Sequence, residues 1–220
     1  MAGILVGAYG YQRSGKSLIS HLIAESYYKR GIPVYSNVEV QGYNHIEKLD
    51  DIPFNTENKV LWLDEVQYFL DSRTWQNNQE SSIFFNSIGK MNILLLITTI
   101  HPEMVEKRLR QQHNYVILVK SDAKYIYYRI KDNVRSVYKD FTIKKGPELF
   151  NLCRYDSSQV PGYVNCNLKN FANKVRKFNQ EQKNKYTIHD FGKPKKVEDT
   201  RGFGMSGAQL GARANPLSHI

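Results

Sequence analysis

The chain has 220 residues, 41% of them hydrophobic and 12% aromatic, and carries a formal net charge of +10. That length supports one good core with appendages, and that composition excludes wholesale disorder. No apolar run reaches the roughly 20 residues of a membrane-spanning helix, and neither the six histidines nor Cys153 and Cys166 show the spacing of a zinc site. With so few cysteines the expected setting is reducing and intracellular, without structural metal. The stretch "AGILVGAYG" has no basic flank before it and does not read as a signal peptide. The charge is unevenly placed. Residues 1–120 hold 12 basic and 12 acidic side chains, whereas residues 121–220 hold 19 and 9, so the whole excess lies in the second half, as expected of a segment that meets a polyanion.

In chain order, "GILVGAY" is an apolar run of strand length. "KSLISHLIAESYYKR" places Leu18, Ile19, Leu22, Ile23 and Tyr27 at helical spacing, and Gly31 closes it. "PVYSNVEV" predicts a second strand and "KVLWLDE" a third, buried one. "SSIFFNSIGK" predicts a helix, "NILLLITT" a fourth strand, "PEMVEKRLRQQ" a short helix and "YVILVK" a fifth strand. Unbroken apolar strands separated by helices imply an α/β fold with a mostly parallel sheet covered on both faces. Beyond Lys120, "KYIYYRIKDNVRSVYKDFTI" alternates as an antiparallel hairpin. "NLKNFANKVRKFNQEQKNK" is a basic amphipathic helix with Leu168, Phe171, Ala172, Val175 and Phe178 on one face. The expected organisation is a domain over 1–145 including the hairpin, a basic extension over 146–191, and a flexible tail over 192–220.

Three stretches carry chemistry. "GYQRSGKS" fits G-x-x-x-x-G-K-[ST] between a buried strand and an amphipathic helix. Backbone amides from Gly10 through Tyr11, Gln12, Arg13, Ser14 and Gly15 to Leu18 would face phosphates at a helix N-terminus. Lys16 would reach the β- and γ-phosphates and the Ser17 hydroxyl would ligate Mg²⁺. "VLWLDE" ends a buried strand in two acids, Asp64 for the Mg²⁺ shell and Glu65 to take a proton from the attacking water; the phosphate cradle needs this strand as its neighbour. "LLLITT" puts Thr98 and Thr99 beside the γ-phosphate, while Arg108 and Arg110 on the next helix could stabilise transition-state charge in a neighbouring subunit. Arg73, in "QYFLDSRTWQ", could approach phosphate or a subunit boundary but reads first as a loop salt bridge, and His101 reads as structural.

Those three stretches in that order resemble the FtsK/HerA branch of P-loop ATPases, over about residues 3–120. Within the branch they look most like viral genome-packaging ATPases, with Zot-like phage assembly proteins close behind. The branch commonly ends its sensor strand in Thr-Gln before a proline. This chain has Thr99-Ile100-His101-Pro102, which leaves Thr98 or Thr99 as the sensor. The resemblance implies the P-loop NTPase fold, ATP and Mg²⁺, and a hexameric or pentameric homo-oligomeric ring drawing double-stranded DNA through its pore. It also implies a capsid vertex protein as a candidate partner and a place in the virion or host cytoplasm. Zot-like proteins usually carry a membrane segment after the ATPase domain; none is visible here, although membrane contact stays open. The alternatives are a virion-assembly or secretion ATPase at a membrane, a P-loop small-molecule kinase, and a subunit that binds nucleotide only to assemble.

Overall fold

The computed structural model describes residues 3–69, 79–105, 107–166 and 171–185. Arg73, Leu168 and the expected tail from 192 lie outside the described residues. Eight strands form one sheet in the order β3-β2-β4-β5-β1-β6-β7-β8. They are β1 Ile4–Tyr9, β2 Val34–Ser36, β3 Asn44–His45, β4 Lys59–Leu63, β5 Ile93–Thr99, β6 Tyr115–Ser121, β7 Tyr125–Asp132 and β8 Val137–Lys144. The first six run parallel, and β7 and β8 extend the sheet antiparallel as the expected hairpin. Every residue of β4 and β5 is buried, which explains why both segments are apolar throughout rather than alternating.

Alternate residues of those strands feed two cores. Leu61, Leu63, Leu95 and Ile97 meet Phe84 and Ile88 around α2 (Gln79–Ser87), Leu109 of α3 (Lys107–Gln111) and Val175 of α5 (Phe171–Lys185) on one face. Val60, Trp62, Leu94 and Leu96 meet Leu18, Ile19 and Ala24 of α1 (Lys16–Tyr28) on the other, joined by Leu149 of α4 (Pro147–Asn151). The amphipathic face of α5 thus packs back on the domain. Phe178 meets Phe54 edge-on at 5.0 Å, and Lys174 pairs with Asp50 at 3.0 Å. The basic side chains Arg176 and Lys177 stay exposed.

Three elements depart from the sequence reading, each for a local reason. The second strand stops at Ser36 because the Ser36 hydroxyl captures the Val38 amide at 3.0 Å and turns the chain. "PEMVEKRLRQQ" splits into a 3-10 turn, Pro102–Met104, and α3, because Val105 is extended (φ −96°, ψ 144°). The acid-bearing strand is not beside the phosphate-loop strand: β5 lies between β4 and β1.

At the opposite end of the sheet Lys59 is buried, its Nζ donating to the carbonyls of Asn55, Glu57 and Met91 at 3.1, 2.6 and 3.0 Å. Burial pulls its pKa down to about 8 against the partial opposition of Glu57. Between pH 8 and the unfolded lysine value near 10.5 the unfolded chain holds more protons, so stability rises with pH. Urea denaturation of the wild type is expected to show a gain of about 1–2 kcal/mol from pH 8 to 9.5 that Lys59→Met lacks.

Candidate nucleotide site

The turn from β1 into α1 is shaped by its glycines. A Cβ on Gly10 would lie 2.3 Å from the Val119 carbonyl oxygen, and Gly15 sits at φ 104°, where a side chain is strained. Helix α1 then begins at Lys16 with no side-chain cap and no acid in its first turn. Its first ladder bond is Ile19 N–H to the Gly15 carbonyl at 3.2 Å. The amides of Lys16, Ser17 and Leu18 therefore have no partner within the helix, and its positive pole is open to an anion. The Ser14 hydroxyl is buried in the same turn without a hydrogen-bond partner among the described residues. An orphan donor, free amides and a buried lysine fit a phosphate chain.

Strand register brings the remaining parts to one level. Leu63 pairs with Ile97 and Ala8 with Thr98, so the residue after β4, Asp64, lies across from Thr98. The Asp64 carboxylate accepts from the Ser17 hydroxyl, 2.9 Å to each oxygen, and from the Thr98 hydroxyl at 2.6 Å. The Thr98 oxygen in turn accepts the Glu65 amide at 2.9 Å. Burial pushes the Asp64 carboxyl above the usual carboxylate range; the bonds from Thr98 and Ser17 oppose this, Glu65 adds to it and Lys16 subtracts. Two hydroxyls on one carboxylate are a hard-oxygen set of the kind Mg²⁺ takes.

Glu65 stands at φ 50°, ψ 50°, a left-handed conformation costly for a non-glycine residue. That twist, fixed through its amide by Thr98, aims its side chain toward the phosphate loop. One carboxylate oxygen lies 3.6 Å from Lys16 Nζ, and the other accepts from the Gln67 side-chain amide. Lys16 Nζ also donates to the Tyr11 carbonyl at 3.1 Å. The structure thus gathers Gly10, Ser14, Gly15, Lys16, Ser17, Asp64, Glu65 and Thr98 at the C-terminal edge of the sheet, where open α/β folds bind ligands.

Other expected residues are placed differently. Tyr11, Gln12 and Arg13 are exposed on the loop, and the Leu18 side chain enters the core, leaving only its amide to the site. Of the two threonines only Thr98 reaches the acids. The Thr99 hydroxyl donates instead to the Met104 sulfur at 3.9 Å, as expected of a neighbour whose side chain exits the opposite sheet face. Arg110 turns into its own domain: its Nε is buried without a partner among the described residues, and its charge lies near Tyr9 and His113. The Arg108 side chain lies outside the described ones. His101 accepts the Glu103 amide at 3.3 Å and caps the 3-10 turn.

Sequence reasoning missed Asn37. It is fully buried just beyond β2, and its amide grips both sides of the Asp64 backbone. The Asp64 N–H donates to its oxygen at 2.8 Å, while its nitrogen donates to the carbonyls of Asp64 at 3.0 Å and Gly162 at 2.9 Å. An asparagine after "VYS" is the only local signal, and its partners lie 27 and 125 residues away. Nor did any local pattern show that the hairpin supports the phosphate loop. Tyr128 of β7 donates its hydroxyl to the Gly15 carbonyl at 3.2 Å, and a Cβ on Gly15 would press on Ile126 at 3.0 Å.

No protein-family model and no curated protein matches the chain. Among solved structures it is similar to the N-terminal domain of zonular occludens toxin from Neisseria meningitidis, with a TM-score of 0.53 and 13% identity, covering 71% of this chain and 100% of that one. It is also similar to B204, the DNA-packaging ATPase of Sulfolobus turreted icosahedral virus, with a TM-score of 0.49 and 16% identity over 64% of this chain and 98% of that one. A DnaB-like replicative helicase gives a TM-score of 0.48 and 10% identity over 66% of this chain and 56% of that one. At such identities the likeness is one of fold, and the fold is that of the P-loop NTPases, mostly parallel and flanked by helices.

Asn37→Ala strips the Asp64 peptide of both its side-chain partners. Urea denaturation is expected to show a loss of about 1–3 kcal/mol, the cost of buried polar groups left unmade.

Proposed function

We propose that this chain is an ATP-hydrolysing motor of the FtsK/HerA type that moves viral DNA, with packaging of the genome into a preformed capsid as its task. The observation that carries the catalytic part is the single constellation of Lys16, Ser17, Asp64, Glu65 and Thr98 at the mouth of a capless helix. Its residues fit ATP and Mg²⁺. The loop amides and Lys16 hold the phosphates, and Ser17 and Asp64 supply oxygens to the cation. Bound Mg²⁺ neutralises charge developing on the phosphate oxygens. Thr98 fixes the carboxylate of Asp64 and the amide of Glu65 at once, so a change at the phosphates is felt by both acids. Glu65 accepts the proton of the attacking water. In the structure that carboxylate faces Lys16, so phosphate must draw the ammonium away before Glu65 is a free base.

By the resemblance, an arginine donated by a neighbouring subunit of a homo-oligomeric ring would complete the site; Arg108 and Arg110 are the candidates, and the Arg110 Nε is buried, with its charge near Tyr9 and His113. The 1–145 segment would form the motor domain, and the exposed basic side chains of the second half would meet the phosphate backbone, the sequence-independent contact a translocase needs. A second reading, a virion-assembly ATPase working at a membrane, draws on the likeness to the zonular occludens toxin domain over its full length. No described helix is long and apolar enough to cross a bilayer.

Two substitutions test the proposal. Glu65→Gln should keep ATP binding and lose turnover about 10²–10⁴-fold in phosphate release, as removal of a general base does. Lys16→Ala should abolish binding of a labelled ATP analogue. Wild-type turnover in Glu65→Gln would remove that residue from the chemistry.

A further inference from the structure

The antiparallel wing has two faces, and only one is used by the fold. Ile126, Tyr128, Phe141 and Ile143 point into the core beneath α1. On the other face the register sets Lys120 beside Tyr127 and Lys131 beside Tyr138, with Tyr125 opposite Lys144. Tyr125, Tyr127 and Tyr138 are 38%, 43% and 62% exposed. The Tyr127 hydroxyl donates to Asp122 at 2.7 Å, which fixes that ring, and the Lys131 ammonium lies 6.0 Å from the Tyr138 ring centre. Arg129 is paired with Asp140 at 2.7 Å. Among the described residues Lys120, Lys131 and Lys144 have no ion-pair partner. The result is an open pleated surface on which each of the three rings has a lysine as its cross-strand neighbour, with Leu118 exposed among them and Arg129 neutralised by Asp140.

From this juxtaposition we infer that the outer face of β6–β8 is a binding platform for single-stranded polynucleotide. Lysines answer the phosphodiester charge, and exposed rings offer stacking partners that only unpaired bases can use, because a duplex keeps its base faces closed. In each of these cross-strand pairs a ring lies beside a lysine, which suits a strand that offers a base and a phosphate at every repeat. The same strands reach the phosphate loop: Tyr125, Tyr127 and Arg129 alternate with Ile126 and Tyr128, which abut Gly15. A polymer lying on the platform is therefore one pleat away from the nucleotide cradle. The inference rests in part on the motor reading but departs from the double-stranded polymer that the resemblance implies, naming an unpaired strand and where it lies.

The experiment uses the full chain without nucleotide and a fluorescein-labelled oligothymidine of about 20 bases, with fluorescence anisotropy as readout. Tight binding that falls with salt is expected, with a log–log slope of about −0.7 per phosphate engaged. Tyr127→Ala and Tyr138→Ala should each weaken it by roughly 5- to 100-fold, the range for loss of one stacked base. Tyr127→Phe and Tyr138→Phe, which keep the rings, should bind like wild type. Lys131→Ala with Lys144→Ala should weaken binding and flatten the salt slope. Circular dichroism and urea midpoints establish that each variant is folded. Folded alanine variants that bind oligothymidine undiminished overturn the proposal. So does tighter binding of a 20-base-pair duplex through the same residues, or a change in the oligomeric mass of the tyrosine variants, which would make the face a contact between copies. Phosphate release measured separately keeps the two readings apart: ring-dependent oligothymidine binding without ATP turnover would sink the motor and leave the platform standing.

Discussion

The Asp64 carboxylate is the point on which the candidate site converges. It is buried, and burying a carboxylate is costly unless hydrogen bonds replace lost water. Ser17 and Thr98 supply them from two different elements, the phosphate-loop helix and the central strand. The same interactions that make the acid tolerable in the folded chain therefore tie α1, β4 and β5 together at their functional ends. Interposing β5 between β1 and β4 makes this possible, since Thr98 can then face Asp64 on one side while its strand pairs with the loop strand on the other.

The antiparallel wing adds a constraint of its own. A glycine-rich turn has little packing to define it, and the first turn of α1 has no side-chain cap. Its definition comes from outside, from the Val119 carbonyl against Gly10 and from Ile126 and Tyr128 against Gly15. Tyr128 is itself held by stacking on Phe141 at 4.8 Å. The hairpin is thus part of the nucleotide cradle's scaffold as well as an extension of the sheet, and a displacement of one is felt by the other.

What could be read from the sequence was what local pattern encodes. Apolar runs of strand length marked β1, β4, β5 and β6, and the Gly10–Ser17 spacing, with Asp64 and Glu65 ending a buried strand, marked the site. The choice between Thr98 and Thr99 was not legible, because it depends on which sheet face each side chain takes relative to β4, and that is set by register. The order of strands was hidden for the same reason. Asn37 could not be seen at all: its function lies in clamping a peptide 27 residues away, and an isolated asparagine after a short strand is ordinary turn chemistry. Arg110 looked like a surface cation because charge is usually solvated, whereas here its Nε is buried and its charge lies near Tyr9 and His113.

Asn37 also ties down the segment after the wing. Residues 147–155 lie on the α1 face, where Arg154 pairs with Glu25 and sits 4.6 Å from the Tyr28 ring, and Tyr155 meets Trp62 edge-on at 5.5 Å. Val164 and Cys166 lie in the opposite core, so the chain between them must round the C-terminal edge of the sheet. It does so at Gly162, whose amide and carbonyl both bond Asn37, at 2.9 Å each. One asparagine therefore joins the Asp64 end of β4 to a strap that is anchored on α1 at one end and in the far core at the other. A shift of Asp64 cannot stay local, because its peptide is hydrogen-bonded to the residue that carries the strap. The strap in turn leads to α5, whose inner side holds the far core and whose outer side presents Arg176 and Lys177 to solvent. What holds the strap and α5 to the domain is thus a mixture of hydrogen bonds to main chain at Asn37 and ion pairs at Arg154 and Lys174, the latter being the more sensitive to salt.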